Sequence, residues 1–236
     1  MLGKIRRFYD SRKGRQLIAL LQKRGKAAFV SSLPEAARLL DVGCGNNSPM
    51  QIKLHRPDIY YIGLDIADYN QTTPETYADE YHIAQPEQFA LAIRNLEQTM
   101  DAVISAHNIE HCLEPDDTID AILDTVRPGG RLFLSFPCEA SKNFPSRKGC
   151  LNFHDDPTHL TLPDWNRILG KLRQRGFRID FSAERSRPHL LAMIGLLLEP
   201  VCAMTGTQIP LGTWALYGFE SIIWASRPDV SRAGSD

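Results

Sequence analysis

The sequence predicts an α/β protein built on a parallel, doubly wound sheet, and three observations carry that prediction. From residue 36 onward, short apolar runs of strand length alternate with segments of helical character. Such alternation implies parallel βαβ units and a sheet covered by helices on both faces. A glycine turn, Gly43-Cys44-Gly45, directly follows the first run, where the backbone must leave a strand sharply.

The elements follow in chain order. Arg15 to Phe29 places Leu17, Leu20, Leu21 and Ala28 at helical spacing, with Lys and Arg on other faces. Arg38-Leu39-Leu40-Asp41-Val42 is the first strand, and Tyr60-Tyr61-Ile62-Gly63-Leu64 the second, ending at Asp65. A weaker strand lies near Tyr81 to Ala84, followed by a helix from Pro86 to Leu96. Asp101 to Ser105 is the fourth strand, with a helix near Thr118 to Val126. Arg127-Pro128-Gly129-Gly130 then turns into a fifth strand, Arg131 to Phe136. A long segment, Pro137 to Pro163, precedes a helix from Asp164 to Gly176 and a sixth strand, Phe177 to Phe181. Phe219 to Ala225, rich in β-branched and aromatic residues, is the seventh. In sheets of this kind ligands bind beyond the carboxyl ends of the strands, so residues just after each strand are the site candidates.

Composition narrows the class. The chain has 236 residues, 43% hydrophobic and 23% charged, which argues for a globular protein rather than a disordered one. Its five cysteines are odd in number, scattered and without a Cys-x-x-Cys pair, so reduced thiols in the cytoplasm are expected. The longest apolar stretch, Leu190 to Leu198, is closed by Glu199-Pro200 and is too short to span a bilayer. The net charge of -1 hides a segregation: residues 1–33 carry nine basic groups against Asp10, and the remainder is net acidic. A nucleic-acid partner is disfavoured, because the acidic body repels phosphates and aromatics are not interleaved with the basic groups beyond Phe8 and Tyr9. A solvated helix, or peripheral contact with a phosphorylated substrate or an anionic surface, are the other readings of the head.

Asp41-x-Gly43-x-Gly45 follows one strand, and Asp65 ends the next, twenty residues after Gly45. This is the logic of a nucleotide cofactor: glycines let the backbone approach the ligand, and the second-strand carboxylate holds ribose hydroxyls. A dinucleotide fingerprint would require glycine at position 48, which is Ser48. An acid two residues before the first glycine suits a cationic ligand without a pyrophosphate, and S-adenosylmethionine fits.

At this point the chain resembles the class I S-adenosylmethionine-dependent methyltransferases, of methyltransferase type 11 character. The blocks that carry the resemblance are Leu39 to Gly45, Gly63-Leu64-Asp65-Ile66, Asp101 to Ser105, and Val126 to Leu132. Asn47 stands where the family often has a third glycine; asparagine tolerates positive φ. The resemblance implies a three-layer, Rossmann-like sheet of seven strands with the last antiparallel. It implies a methyltransferase domain over 36–236, a basic helical cover over 1–35, and an apolar insertion at about 186–215. By the same resemblance Gly43, Cys44 and Gly45 approach the methionine part, Asp41 lies near its ammonium, and Asp65 with Ile66 holds the ribose. The adenine side lies at the end of strand three, Ile83 to Gln85, with Ala84 at its centre, and His107 and Asn108 border the methyl donor.

Methyl transfer to a hydroxyl needs alignment and removal of a proton, and imidazoles suit the second task. Two clusters qualify. In Ser105-Ala106-His107-Asn108-Ile109-Glu110-His111, His107 and Asn108 are the cleft candidates, and Glu110 and His111 cap or pack the next helix. In Asn152-Phe153-His154-Asp155-Asp156-Pro157-Thr158-His159, a substrate loop offers His154 or His159 as base beside Asp155. The catalytic set expected is therefore His107, His154, Asp155 and His159. A metal is set aside, because Pro157 breaks any helical ligand pair and no ligand spacing is matched. Between strands six and seven, Leu190 to Leu198 with Met193, Trp214 and Tyr217 forms either a core helix, a homodimer patch, or a lid over an acceptor with an apolar portion. No Asn-Pro-Pro-Tyr-like run follows strand four, which favours oxygen over planar amines. The leading function is O-methylation of a small molecule or a glycan or lipid-linked precursor. RNA or protein methylation and non-catalytic cofactor binding stand as alternatives.

Overall fold

The computed structural model describes residues 11–96, 100–209 and 211–229. Seven strands form one sheet: β1 Arg38–Val42, β2 Tyr60–Asp65, β3 Glu80–Ile83, β4 Met100–Ala106, β5 Val126–Pro137, β6 Arg178–Ala183 and β7 Glu220–Ser226. Their order is β3-β2-β1-β4-β5-β7-β6. Strands β1 to β5 pair in parallel, while β7 is antiparallel to both β5 and β6. The order reverses between β1 and β4, so the carboxyl ends of these strands frame the crevice where such sheets bind ligands.

Period-two alternation explains the layers. Leu40, Val42, Ile62, Leu64, Val103, Leu132 and Leu134 point to one face, against Phe89, Ile93, Ile122, Ile168 and Leu172. These come from helices α5 (Phe89–Arg94), α6 (Pro115–Thr125) and α7 (Trp165–Gln174). Leu39, Tyr61, Ile104, Phe133 and Trp224 point to the other face, against Phe29, Val30, Leu33 and Ile52.

The second face holds a departure from expectation. A helical head over 15–29 is broken into α1 (Arg12–Leu21) and α2 (Lys26–Ser31), with Gly25 between them. Gly25 is extended (φ −80°), and a Cβ there would meet the end of the Gln22 side chain at 2.5 Å. The chain folds back because Phe29 is fully buried against Phe133 and, edge-on, Trp224. The Trp224 indole donates to the Arg24 carbonyl at 2.7 Å. Packing therefore runs without a break across residue 35. Helix α3 (Ser48–His55), which carries Ile52 into this layer, opens with Pro49 in its first turn, a start signal that the sequence reading passed over. A short helix, α4 (Pro74–Tyr77), precedes β3.

The expected helix over 86–96 begins as a 3₁₀ turn at Pro86–Gln88 and is α-helical only over Phe89–Arg94. Extended backbone of β5 starts at Val126, earlier than expected, with a bulge that takes its pairing from Met100↔Val126 to Ala102↔Arg131. The 186–215 insertion forms two packed helices, α8 (His189–Thr205) and α9 (Gly212–Tyr217). They touch at Gly195, where a Cβ would lie 2.2 Å from the Gly212 carbonyl oxygen. The outer face of α8 exposes Leu190, Met193, Leu197, Val201 and Met204. Among the described residues, no helix is long and apolar enough to cross a membrane.

Candidate active site

The glycine turn is built from the backbone outward. Gly43 has φ +75°, and a Cβ there would meet the Asn108 side chain at 2.4 Å. Its N–H donates to the Leu64 carbonyl at 2.8 Å, tying the turn to the end of β2. Gly45 faces Asp65, with a virtual Cβ 3.5 Å from Asp65 Oδ2. Asn46 and Asn47 both adopt left-handed φ (57° and 59°), as asparagine tolerates. Cys44 is buried with Sγ over Gly63, where a Cβ would lie 2.9 Å from it. Burial, and then the nearby Asp41 and Asp65, push its thiol pKa far up, so it is a packing residue rather than a nucleophile.

Asp41 is fully buried and already engaged. Its carboxylate accepts from Lys26 Nζ at 3.0 and 3.3 Å, Ser48 Oγ at 2.5 Å and Tyr61 Oη at 2.9 Å. Lys26 comes from α2, so a cation of the basic head reaches the carboxylate that the resemblance assigns to the cofactor ammonium. Asp65 is 8% exposed and accepts from the Ile66 N–H at 2.7 Å. Burial raises its pKa, against the lowering pull of backbone N–H groups from Ile66 and Gly45. Ala84 donates its N–H to the Asp65 carbonyl at 2.9 Å, which sets the end of β3 beside this carboxylate. Ile66 and Ile83 are about half exposed there.

His107, with φ +52°, follows β4 directly. Its Nδ1 lies 3.1 Å from Glu110 Oε1, and its Nε2 makes a longer ion contact, 3.4 Å, with Glu220 Oε1. The ring sits against Trp214 (4.9 Å between centroids) and parallel to Phe219 (6.1 Å). Burial pushes its pKa down, but the Glu110 and Glu220 carboxylates more than offset this and leave it raised to about 10. His107 is thus a fixed imidazolium at neutral pH, a cation that positions two carboxylates. Gln22 of α1 completes the arrangement by donating to Glu220 Oε2 at 3.1 Å. A small cavity of about 20 Å³ lies beside Glu220 and Trp214, lined also by Gln22, Ser186, Pro188 and Leu191. The sequence reading passed over Glu220 and Lys26. The signal for Glu220 was topological: an antiparallel β7 starts at the same sheet edge where its neighbours end. Lys26 carried no signal beyond its place among the head's charges.

The long segment after β5 separates its three candidates. Asp155 organises the loop: it accepts from Ser146 Oγ at 2.5 Å and from the N–H groups of Arg147, Leu151 and Asn152 at 2.8–3.0 Å. Burial raises its pKa, and these hydrogen bonds outweigh that and hold it below the usual carboxylate range. His154 is exposed, its ring edge-on to Phe153. His159 instead turns inward, stacked on Phe153 and 4.8 Å from His111 between ring centroids. The Leu160 and Thr161 N–H groups both donate to the Glu110 carbonyl, at 2.8 and 3.3 Å. These two bonds stitch the loop onto the turn after β4, and so bring His159 to Glu110 and His111.

A family model described as a methyltransferase domain matches residues 7–180. Among curated proteins, a ubiquinone biosynthesis O-methyltransferase of Neisseria meningitidis is 24% identical over 140 residues, covering 56% of this chain and 57% of that protein. One of Aeromonas salmonicida is 30% identical over 101 residues, 42% of each chain. The chain thus spans less than two thirds of the length of these relatives. Among solved structures, an S-adenosylmethionine-dependent methyltransferase from Archaeoglobus fulgidus superposes with a TM-score of 0.54 at 16% identity, covering 92% of this chain and 96% of that one. The 4+2 cyclase SpnF superposes equally well, with a TM-score of 0.54 at 19% identity over 92% of this chain and 81% of its own. These structural likenesses speak to fold alone. With the family match over most of its length, the chain belongs to the class I S-adenosylmethionine-dependent methyltransferases.

Proposed function

We propose that the chain transfers a methyl group from S-adenosylmethionine to an oxygen of an acceptor that has an apolar portion. The observation that carries this reading is the convergence of the Gly43–Gly45 turn, Asp65 and the His107–Asn108 turn at the ends of three adjacent parallel strands. The residues fit the cofactor. Gly43 and Gly45 let the Asn108 and Asp65 side chains close on the turn, and Asp65 is a buried carboxylate with no cationic side chain in ion-pair contact among the described residues. The bound cofactor supplies an electrophilic methyl group on a sulfonium. Asp65 accepts the ribose hydroxyls, with Ile66 and Ala84 beside the adenine side. Asp41, held by Lys26, Ser48 and Tyr61, sets the shape of the glycine turn. His107 keeps Glu110 and Glu220 in place.

Leu191, Pro188 and Trp214 line the small cavity beside Glu220, and this apolar lining favours an acceptor with an apolar portion. The ubiquinone biosynthesis O-methyltransferases among the relatives favour a hydroxyl acceptor on a lipid-like molecule. The test is transfer of labelled methyl to a prenylated catechol, with total RNA and a soluble glycan in parallel. Label in the catechol alone supports the reading. Calorimetric binding of S-adenosylmethionine without transfer to any hydroxylated apolar acceptor would overturn it.

A further inference from the structure

Glu110, His111 and His159 bring one carboxylate oxygen and two ring nitrogens within 4.8 Å of one another. The sequence discouraged a metal because the loop histidines could not form a helical pair. The fold instead supplies the pair across two segments, through the backbone bonds from Leu160 and Thr161 to Glu110.

Three features of the cluster are those of a ligand set. First, both imidazoles are anchored through Nδ1. His111 Nδ1 lies 3.1 Å from the Thr158 carbonyl oxygen, and His159 Nδ1 lies 2.5 Å from that of Phe153. A carbonyl oxygen only accepts, so Nδ1 carries a hydrogen in both rings, and in the neutral imidazole Nε2 keeps its lone pair for a ligand. Second, the anchors extend outward. Thr158 Oγ1, 3.0 Å from His111 Nδ1, donates to Asp156 at 2.6 Å, an oriented outer shell of the kind that steadies metal-bound histidines. Third, Glu110 is fully buried with Oε1 taken by His107, while Oε2 is buried without a hydrogen-bond partner. A buried carboxylate oxygen left bare is costly unless something positive meets it.

We propose that Glu110, His111 and His159 bind a divalent transition ion of the zinc class. Two imidazoles and a carboxylate are a donor set for such ions, and three protein ligands leave a coordination position open. Tetrahedral bonds of about 2.0–2.1 Å place ligand atoms roughly 3.3 Å apart, so the widest pair closes by about 1.5 Å on binding. Asn108 of the same turn leans on Gly43, so the turn that carries two of the ion's ligands is packed on the glycine turn of the methyl-donor site. The ion's role there rests on the methyl-transfer reading; the binding of the ion does not. An acceptor hydroxyl in the open position loses its proton to water, the freed oxygen pair forms the O–C bond, and the C–S bonding pair returns to sulfur.

The experiment uses the full chain, stripped with a chelator and dialysed, then titrated with Zn²⁺ by calorimetry and with Co²⁺ by visible absorption. One equivalent of Zn²⁺ and the d–d bands of a low-symmetry Co²⁺ site are expected. His111→Ala and His159→Gln should each weaken Zn²⁺ binding by at least tenfold, while His154→Ala leaves it unchanged. Circular dichroism and S-adenosylmethionine affinity report that each variant is folded. Absence of saturable Zn²⁺ and Co²⁺ binding, or binding untouched in both cluster variants, would overturn the site. Metal binding that is intact while no acceptor is methylated upholds the site and counts against the functional reading alone.

Discussion

Replacing Lys26 by Met tests how the basic head is joined to the sheet. Lys26 Nζ lies 3.0 Å from Asp41 Oδ2; Asp41 is 0% exposed and the Lys26 side chain 29%. At that separation and an effective dielectric near 20, Coulomb attraction is roughly 5–6 kcal/mol. This is a ceiling, since water reaches part of Lys26 and the pair lost hydration on forming. Breaking a buried pair from one side costs about 3–5 kcal/mol, and partial exposure of the lysine brings the expected loss to about 3 kcal/mol. For a chain of this length that lowers Tm by roughly 6–12 °C. Asp41→Asn should cost less, about 1 kcal/mol, because the stranded lysine can still meet solvent and the amide oxygen still accepts from Ser48 and Tyr61.

Urea unfolding followed by tryptophan fluorescence measures each variant, and the double variant closes the cycle. Lys26→Met with Asp41→Asn removes both charges, so at least half the loss in the lysine variant should be recovered. A Lys26→Met loss below about 0.5 kcal/mol, or simple additivity in the double variant, would refute the reasoning. Either outcome means that Asp41 is held by its neutral donors alone.

Three further outcomes are expected. Gly43→Ala forces a left-handed φ on a Cβ-bearing residue, at about 1–2 kcal/mol, and pushes Asn108 off the turn; calorimetry should show S-adenosylmethionine affinity reduced by at least tenfold. Asp65→Asn should weaken S-adenosylmethionine about tenfold, or roughly 1.4 kcal/mol, with NAD remaining unbound in the same assay. For Asp155 the folded pKa is lowered, so its stabilisation is fully present above the unfolded value near 3.9 and is lost as pH falls through the folded value. Asp155→Asn should therefore cost about 1–2 kcal/mol at pH 7 and flatten the loss of stability below about pH 4 in an acid titration.

The sheet was legible because its signals are local. Leu39-Leu40, Ile62 and Val103-Ile104 are apolar runs of strand length, and Arg38–Val42 emerged with the expected bounds. Asp65 and the glycine turn were legible for the same reason: each directly follows a strand. The break at Gly25 was not, since Leu17, Leu20, Leu21 and Ala28 keep a helical period through it. Only the burial of Phe29 against Phe133 and Trp224 decides where the chain folds back. His107 illustrates the limit for chemistry. Its place after β4 was readable, but its charge state is set by Glu110 together with Glu220, the latter more than a hundred residues away in sequence. The same holds for His159: it shares Phe153 with the nearby His154, but it alone turns inward to His111.

The charge segregation follows from how the carboxyl edge of the sheet is neutralised. Four buried or nearly buried carboxylates gather there: Asp41, Asp65, Glu110 and Glu220. Lys26 of the head answers Asp41, and Gln22 of the head, with His107, answers Glu220. Arg24 covers the faces of Phe181 and Trp224, 5.1 and 5.3 Å from their ring centroids, which seals the sheet behind them. So part of the head's positive charge is structural mortar, and it is unavailable to a phosphate backbone. Glu110 Oε2 and Asp65 are what this neutralisation leaves over. A surplus of two acidic groups at one edge is a poor place for an anion and a good one for cations. Asp65 lies beside the glycine turn, and Glu110 is clustered with His111 and His159.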